Sequence, residues 1–127
     1  MKPGPARAAF GVQHLLVLGM LVQAVLAGFF LYTQATLIHL HLHVGSLLVI
    51  LALAVLVLSA LARFEPRHGL VPLATAQLVL IAGQFALGLL GRDSHVAASL
   101  HVPNAFIVFT LALLWLVRAR RAIKGGE

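Results

Sequence analysis

Three long stretches of this chain contain no Asp, Glu, Lys or Arg: residues 8–62, 68–91 and 94–117. A charge-free apolar stretch of about 18 residues or more is long enough to cross ~30 Å of hydrocarbon as a helix. Soluble domains carry about 25% charged residues, because something must face water. Here only 9% are charged and 61% are hydrophobic. The first stretch is divided by the more polar "YTQAT" at 32–36, which gives four expected spans: 10–31, 37–61, 71–90 and 96–117. Helices satisfy every backbone group within lipid. A membrane β-barrel would need alternating polarity, and none is visible. The expected fold class is therefore an all-α integral membrane protein, a single four-helix domain with a basic tail at 118–127. The first apolar run is longer than the core of a secretory signal, and no A-x-A cleavage site follows it, so it is read as a true helix.

The connections at 32–36, 63–70 and 91–95 are short, which makes consecutive helices antiparallel neighbours in an up-down-up-down bundle. Pro66 and Gly69 break the helix in "RFEPRHG", and Asp93 or Ser94 is placed to cap the fourth helix. Four spans put both termini and the second loop on one side. That side holds Lys2, Arg7, Arg63, Arg67, Arg118, Arg120, Arg121 and Lys124, whereas the other holds Arg92 alone. By the positive-inside rule both termini are expected in the cytoplasm, with the chain in a bacterial plasma membrane. The net charge of +6 then reports topology and attraction to the lipid bilayer, with no nucleic-acid partner expected.

The two halves resemble each other. "QAVLAGFFL" at 23–31 echoes "QFALGLLG" at 84–91, and each is followed by a polar turn and a histidine-bearing stretch. Each half would be a helical hairpin, the two related by a pseudo-twofold axis along the membrane normal. Gln34 and Gln84 are candidates for bonds between helices.

Seven histidines are present. His68 belongs to a turn, and His14 lies early in the first span. The other five, His39, His41, His43, His95 and His101, gather where the second and fourth spans begin. An ionisable residue within a span is a functional candidate by default. On a helix His39 and His43 share a face, with His41 about 160° away. His43 lies one turn deeper than His39, at a depth matching His101. Two imidazoles at one depth on two helices can supply both axial nitrogens of a haem iron. His43 and His101 are thus the expected ligands, with His39 the alternative to His43. Gly45, Ser46, Gly28, Gly88 and Ala105 are the small residues expected to pack on the macrocycle, although small residues also serve close helix packing. Pro103, two residues beyond His101, marks either a helix start or a kink. No cysteine is present. That removes disulfides, thiolate metal sites and covalent c-type attachment, so the haem would be a non-covalent haem b.

At "QFALGLLG" and "SLHVPNAFIVFTLALLWL" the sequence resembles one half of the haem A synthase family. Each half of that family is a four-helix bundle with a Q-x-x-L-G motif on its third helix and axial histidines on its second and fourth. Gln84, Leu87 and Gly88 match the motif, His101 matches the fourth-helix ligand and His43 the second. The resemblance implies the bundle fold and a b-type haem site. It departs from the catalytic half of the family, which carries a Glu before the second-helix ligand; "ATLIHLHL" has none. Hydroxylation of a haem side chain is therefore not expected, and a stand-alone half would pair with a second copy to resemble the full enzyme.

The leading expectation is a small membrane cytochrome, for electron transfer or haem handling, with a quinone or a redox protein as partner. With both axial positions filled, it is not expected to be an enzyme by itself. One rival is an outer-face zinc or copper site built from His39, His43 and either His95 or His101. Another is a cofactor-free assembly subunit whose histidines lie at interfaces. Soluble-enzyme chemistry has no foothold, since the three carboxylates, Glu65, Asp93 and Glu127, all lie outside the spans.

Overall fold

A computed structural model describes residues 1–125 as four helices: α1 Pro3–Tyr32, α2 Ile38–Ala62, α3 Leu70–Leu90 and α4 His95–Lys124. Each contains a segment long and apolar enough to cross a membrane. The expected spans are recovered, and α1 and α4 extend past them at the end that holds both termini. Most of the expected basic tail is a continuation of α4, and Gly126 and Glu127 lie outside the described residues. The end of the bundle with the termini and the α2–α3 connection is here called the basic end, and the opposite end the histidine end.

The breaks have local causes. Arg63 closes α2 in the left-handed conformation (φ 53°), and Gly69 adopts φ 60° immediately before α3, where a glycine carries no steric penalty. Of the two candidate caps for α4, Ser94 is the one used: its hydroxyl accepts from the Ala97 N–H at 3.3 Å. Pro103 lies inside α4. It can donate no backbone hydrogen bond and so leaves the Ser99 carbonyl without its helical donor.

The extensive helix contacts are α1–α2, α2–α3, α3–α4 and α4–α1. The helices therefore form a four-membered ring, with α1 and α3 on one diagonal and α2 and α4 on the other. Each presents a seam of residues three and four apart, the spacing that faces a partner in left-handed helix packing. On α2 the buried seam is Leu48, Ala52, Val55, Ser59 and Ala62; on α4 it is Val108, Ala112, Trp115, Ala119 and Ala122. Off the seams, Leu15, Leu18, Ile50, Leu53, Val79 and Phe106 are exposed, as lipid-facing side chains should be.

Packing is unequal along the bundle axis. At the basic end Ala6, Ala9, Val55, Ala74, Trp115 and Ala119 form a fully buried cluster, and small residues let the helices approach closely. The Trp115 indole donates to the Leu70 carbonyl at 3.1 Å, and the Lys2 N–H bonds the Ala62 carbonyl at 2.7 Å. A second layer contains Leu16, Leu48, Ile81 and Val108. Beyond that layer, towards the histidine end, the only buried side chains among the described residues are Leu26 and Ala97.

A paired-histidine site on the bundle diagonal

Carrying the α2 seam back from Leu48 in the same steps reaches Gly45 and then His41. Carrying the α4 seam back from Val108 reaches Asn104, His101 and the buried Ala97. His41 and His101 therefore point inward from opposite corners. Their ring centroids lie 6.4 Å apart with the ring planes tilted by 51°. Both rings are partly buried, and the Nδ1 atom of each is buried without a hydrogen-bond partner. Phe30 of α1 meets the His41 ring edge-on at 5.1 Å.

The surroundings repeat between the two hairpins. The Gln23 main chain lies beside the His41 ring, and the Gln84 main chain beside His101. The side chains then differ. Gln84 Oε1 accepts from Asn104 Nδ2 at 2.7 Å, and the same Nδ2 donates to the Leu80 carbonyl at 3.1 Å, which ties α3 to α4 one turn from His101. Gln23 Oε1 is buried and unpartnered. Five polar side chains, at least one from each helix, thus surround the axis at the histidine end.

Two of the expected small residues make room here. A Cβ on Gly88 would stand 3.1 Å from His101 Cε1, so the imidazole lies directly against the α3 backbone. A Cβ on Gly45 would stand 2.9 Å from Gln23 Nε2 and 3.5 Å from the Phe85 ring. Ser46 is half-buried and returns its hydroxyl to the Leu42 carbonyl at 3.0 Å.

Other expected residues lie elsewhere. His43, expected as the partner of His101, is exposed on the outer face of α2, as is His39. At 100° per residue, two positions past His41 is nearly the opposite side of the helix, so a seam through His41 excludes both neighbours. Ala105 is exposed, because the seam of α4 runs through Asn104. Gly28 has open space where its Cβ would be, so it cradles nothing. His95 and Gln34 are exposed. His14 is exposed as well, and its Nδ1 lies 2.7 Å from the Phe10 carbonyl. Among the described residues no group of three His, Asp or Glu side chains gathers at metal-binding distance, so the three-ligand zinc or copper site is not assembled.

A second polar pair lies towards the basic end on the other diagonal. Gln13 of α1 and Gln77 of α3 exchange amide hydrogen bonds of 2.8 and 3.1 Å, and Gln13 Nε2 also reaches the Ala112 carbonyl at 3.0 Å. Both side chains are fully buried. Sequence reasoning passed over these glutamines, yet each was visible as an amide within a charge-free span. Compared with known proteins, the chain matches no family model, no curated protein and no solved structure.

Proposed function

We propose that this chain is a membrane b-type haem protein, holding one non-covalent haem between His41 of α2 and His101 of α4 for electron transfer or haem handling. The observation that carries this reading is the facing pair of imidazoles across the bundle axis, 6.4 Å between centroids. Two imidazoles bound to one metal through bonds of roughly 2.0–2.1 Å have centroids about 6 Å apart, so the donor set and its spacing fit a bis-histidine iron. The sparse packing around the pair, with Leu26 and Ala97 the only buried residues there among those described, leaves the histidine end without a close-packed core of its own. The aromatic rings of Phe30 and Phe85 border the same region and suit the faces and edges of a porphyrin.

Bound haem would supply a one-electron couple. The chain's residues then have assignable tasks. His41 and His101 would hold the iron through one imidazole nitrogen each. The Gln23 and Gln84 main chains lie beside those rings, where outer-shell carbonyls stand near ligating histidines. The Gln84–Asn104 bond holds α3 and α4 in register around His101. The likeness to one half of haem A synthase points the same way, with His41 in place of His43 as the second-helix ligand. No carboxylate lies within the spans to serve hydroxylation. A single haem at one end does not carry electrons across the bilayer, so a quinone, a redox protein or a second copy of the chain completes the path.

The proposed setting is a bacterial plasma membrane, with the basic end in the cytoplasm and the histidine end outside. The eight-to-one distribution of Lys and Arg between the two ends supports this orientation.

An absorption spectrum of the detergent-purified protein tests the haem reading, recorded oxidised and then reduced with dithionite. A sharp Soret band and split visible bands on reduction are expected, and should be lost in His41→Ala and in His101→Ala. A folded, colourless protein that takes up no added hemin would overturn the proposal and favour a cofactor-free assembly subunit.

A further inference from the structure

At the basic end, away from the histidines, a partly enclosed cavity of about 350 Å³ opens between the first turns of α1, the α2–α3 connection and the last turns of α4. Small-molecule sites begin at about this volume. Its floor is apolar: Ala6 is fully buried, Ala122 is 6% exposed and Phe64 is 9% exposed. Its rim is basic, with Arg7, Arg67 and His68. Among the described lining residues Glu65 is the acidic one, and it is paired to Arg67 at 2.8 Å. Arg118 adds a further cation beside the rim, since a Cβ on Gly69, next to His68, would lie 3.2 Å from its guanidinium. The N-terminus of α1 contributes little, because Pro3 and Pro5 have no N–H to offer.

We infer that this cavity binds the phosphate group of an anionic phospholipid. The inference rests on the chain spanning a membrane and is independent of haem. An apolar floor under a cationic rim matches an amphiphile with a negative head. Depth decides between a lipid and a soluble phosphate. The first turns of α1 and the last turns of α4 extend about seven residues past the charge-free spans, or roughly 10 Å at the helical rise. The cavity therefore sits at the headgroup layer rather than in bulk water. Basic pockets between membrane helices at that level recognise anionic headgroups.

Native mass spectrometry of the full chain in detergent tests this, with added phosphatidylglycerol, phosphatidylcholine or inorganic phosphate. The wild type should retain one phosphatidylglycerol at least tenfold more readily than phosphatidylcholine. Arg7→Gln combined with Arg67→Gln should lose that preference. Arg120→Gln combined with Arg121→Gln removes the same charge from exposed positions outside the cavity and should keep it. If the first pair prevents folding, Arg67→Gln alone, at a side chain 74% exposed, should still weaken retention severalfold. Equal loss in both double variants, or no preference between the lipids, overturns the site. Displacement of phosphatidylglycerol by inorganic phosphate at matched concentration overturns the lipid as its occupant.

Discussion

His41 and His101 face each other across the α2–α4 diagonal at 6.4 Å, whereas His43, two residues on, points out of the bundle. The proposed ligation can therefore be tested by register. His39→Ala and His43→Ala should leave the reduced spectrum and hemin affinity within about twofold of wild type. His41→Ala should abolish the low-spin spectrum, and added imidazole should restore part of it in His41→Gly. A spectrum lost in His43→Ala and retained in His41→Ala would place the iron on the other face of α2.

Gly88 gives a graded test of the same site, because its missing side chain is what lets His101 lie on the α3 backbone. A methyl group there would stand 3.1 Å from His101 Cε1, so the ring must shift by a few tenths of an ångström. Gly88→Ala should gain helix propensity of about 0.5–1 kcal/mol and still bind haem more weakly. Gly88→Val should bind it more weakly again. Gly28→Ala, with open space at its Cβ, should gain the propensity and leave hemin titration unchanged. Equal hemin affinity in all three variants would remove Gly88 from the site.

The four spans and their breaks were legible in the sequence because charge is excluded from hydrocarbon, the polar turns interrupt the apolar runs, and Gly69 and Ser94 mark where α3 and α4 begin. The inward face of α2 was not. Nearly every residue from Ile38 to Ala62 is apolar, so no polar stripe marks the outside, and depth alone made His43 the match for His101. The usable signal was subtler. Gly45, Ala52 and Ser59 repeat every seven residues with Ala62 three further on, and a step of four back from Gly45 reaches His41. On α4 the same steps from Ala112 reach Asn104 and Ala105 alike, and the structure turns Asn104 and His101 inward and leaves Ala105 exposed. On α1 and α3, Gln13, Gln23, Gln77 and Gln84 all fall on the seams. Lipid makes an outward amide costly, so these glutamines point to the bundle interior. The loose packing of the histidine end was not legible either, because packing density varies along the axis and sequence does not record it.

The Gln13–Gln77 bridge should act as one unit. Gln13→Leu alone strands the Gln77 amide in the tightly packed half of the bundle, at a cost of about 1–3 kcal/mol. Membrane references reduce such values, and couplings of about 0.6 kcal/mol are common there. The double variant Gln13→Leu with Gln77→Leu should be less destabilised than the sum of the two singles, because no amide is left without its partner. A double-mutant cycle on unfolding in mixed micelles measures this. Strict additivity would mean that the two amides contribute independently, against their reciprocal bonds of 2.8 and 3.1 Å.

Orientation offers a test that depends on neither haem nor packing. The basic end holds Lys2, Arg7, Arg63, Arg67 and four cations near the end of α4, and the histidine end holds Arg92 alone. A fluorescent reporter fused to the C-terminus should therefore be bright and cytoplasmic in a bacterial host. An alkaline phosphatase reporter inserted after Arg92 should be active outside. The bias should also be reversible in principle. Removing Lys2, Arg7, Arg63 and Arg67 while adding lysines on both sides of Thr33 should produce a mixed population, because the balance of charge in short loops sets topology. Uniform insertion with the C-terminus outside in the unaltered chain would invert the assignment. The paired histidines would then face the cytoplasm, and any electron partner would have to be sought there.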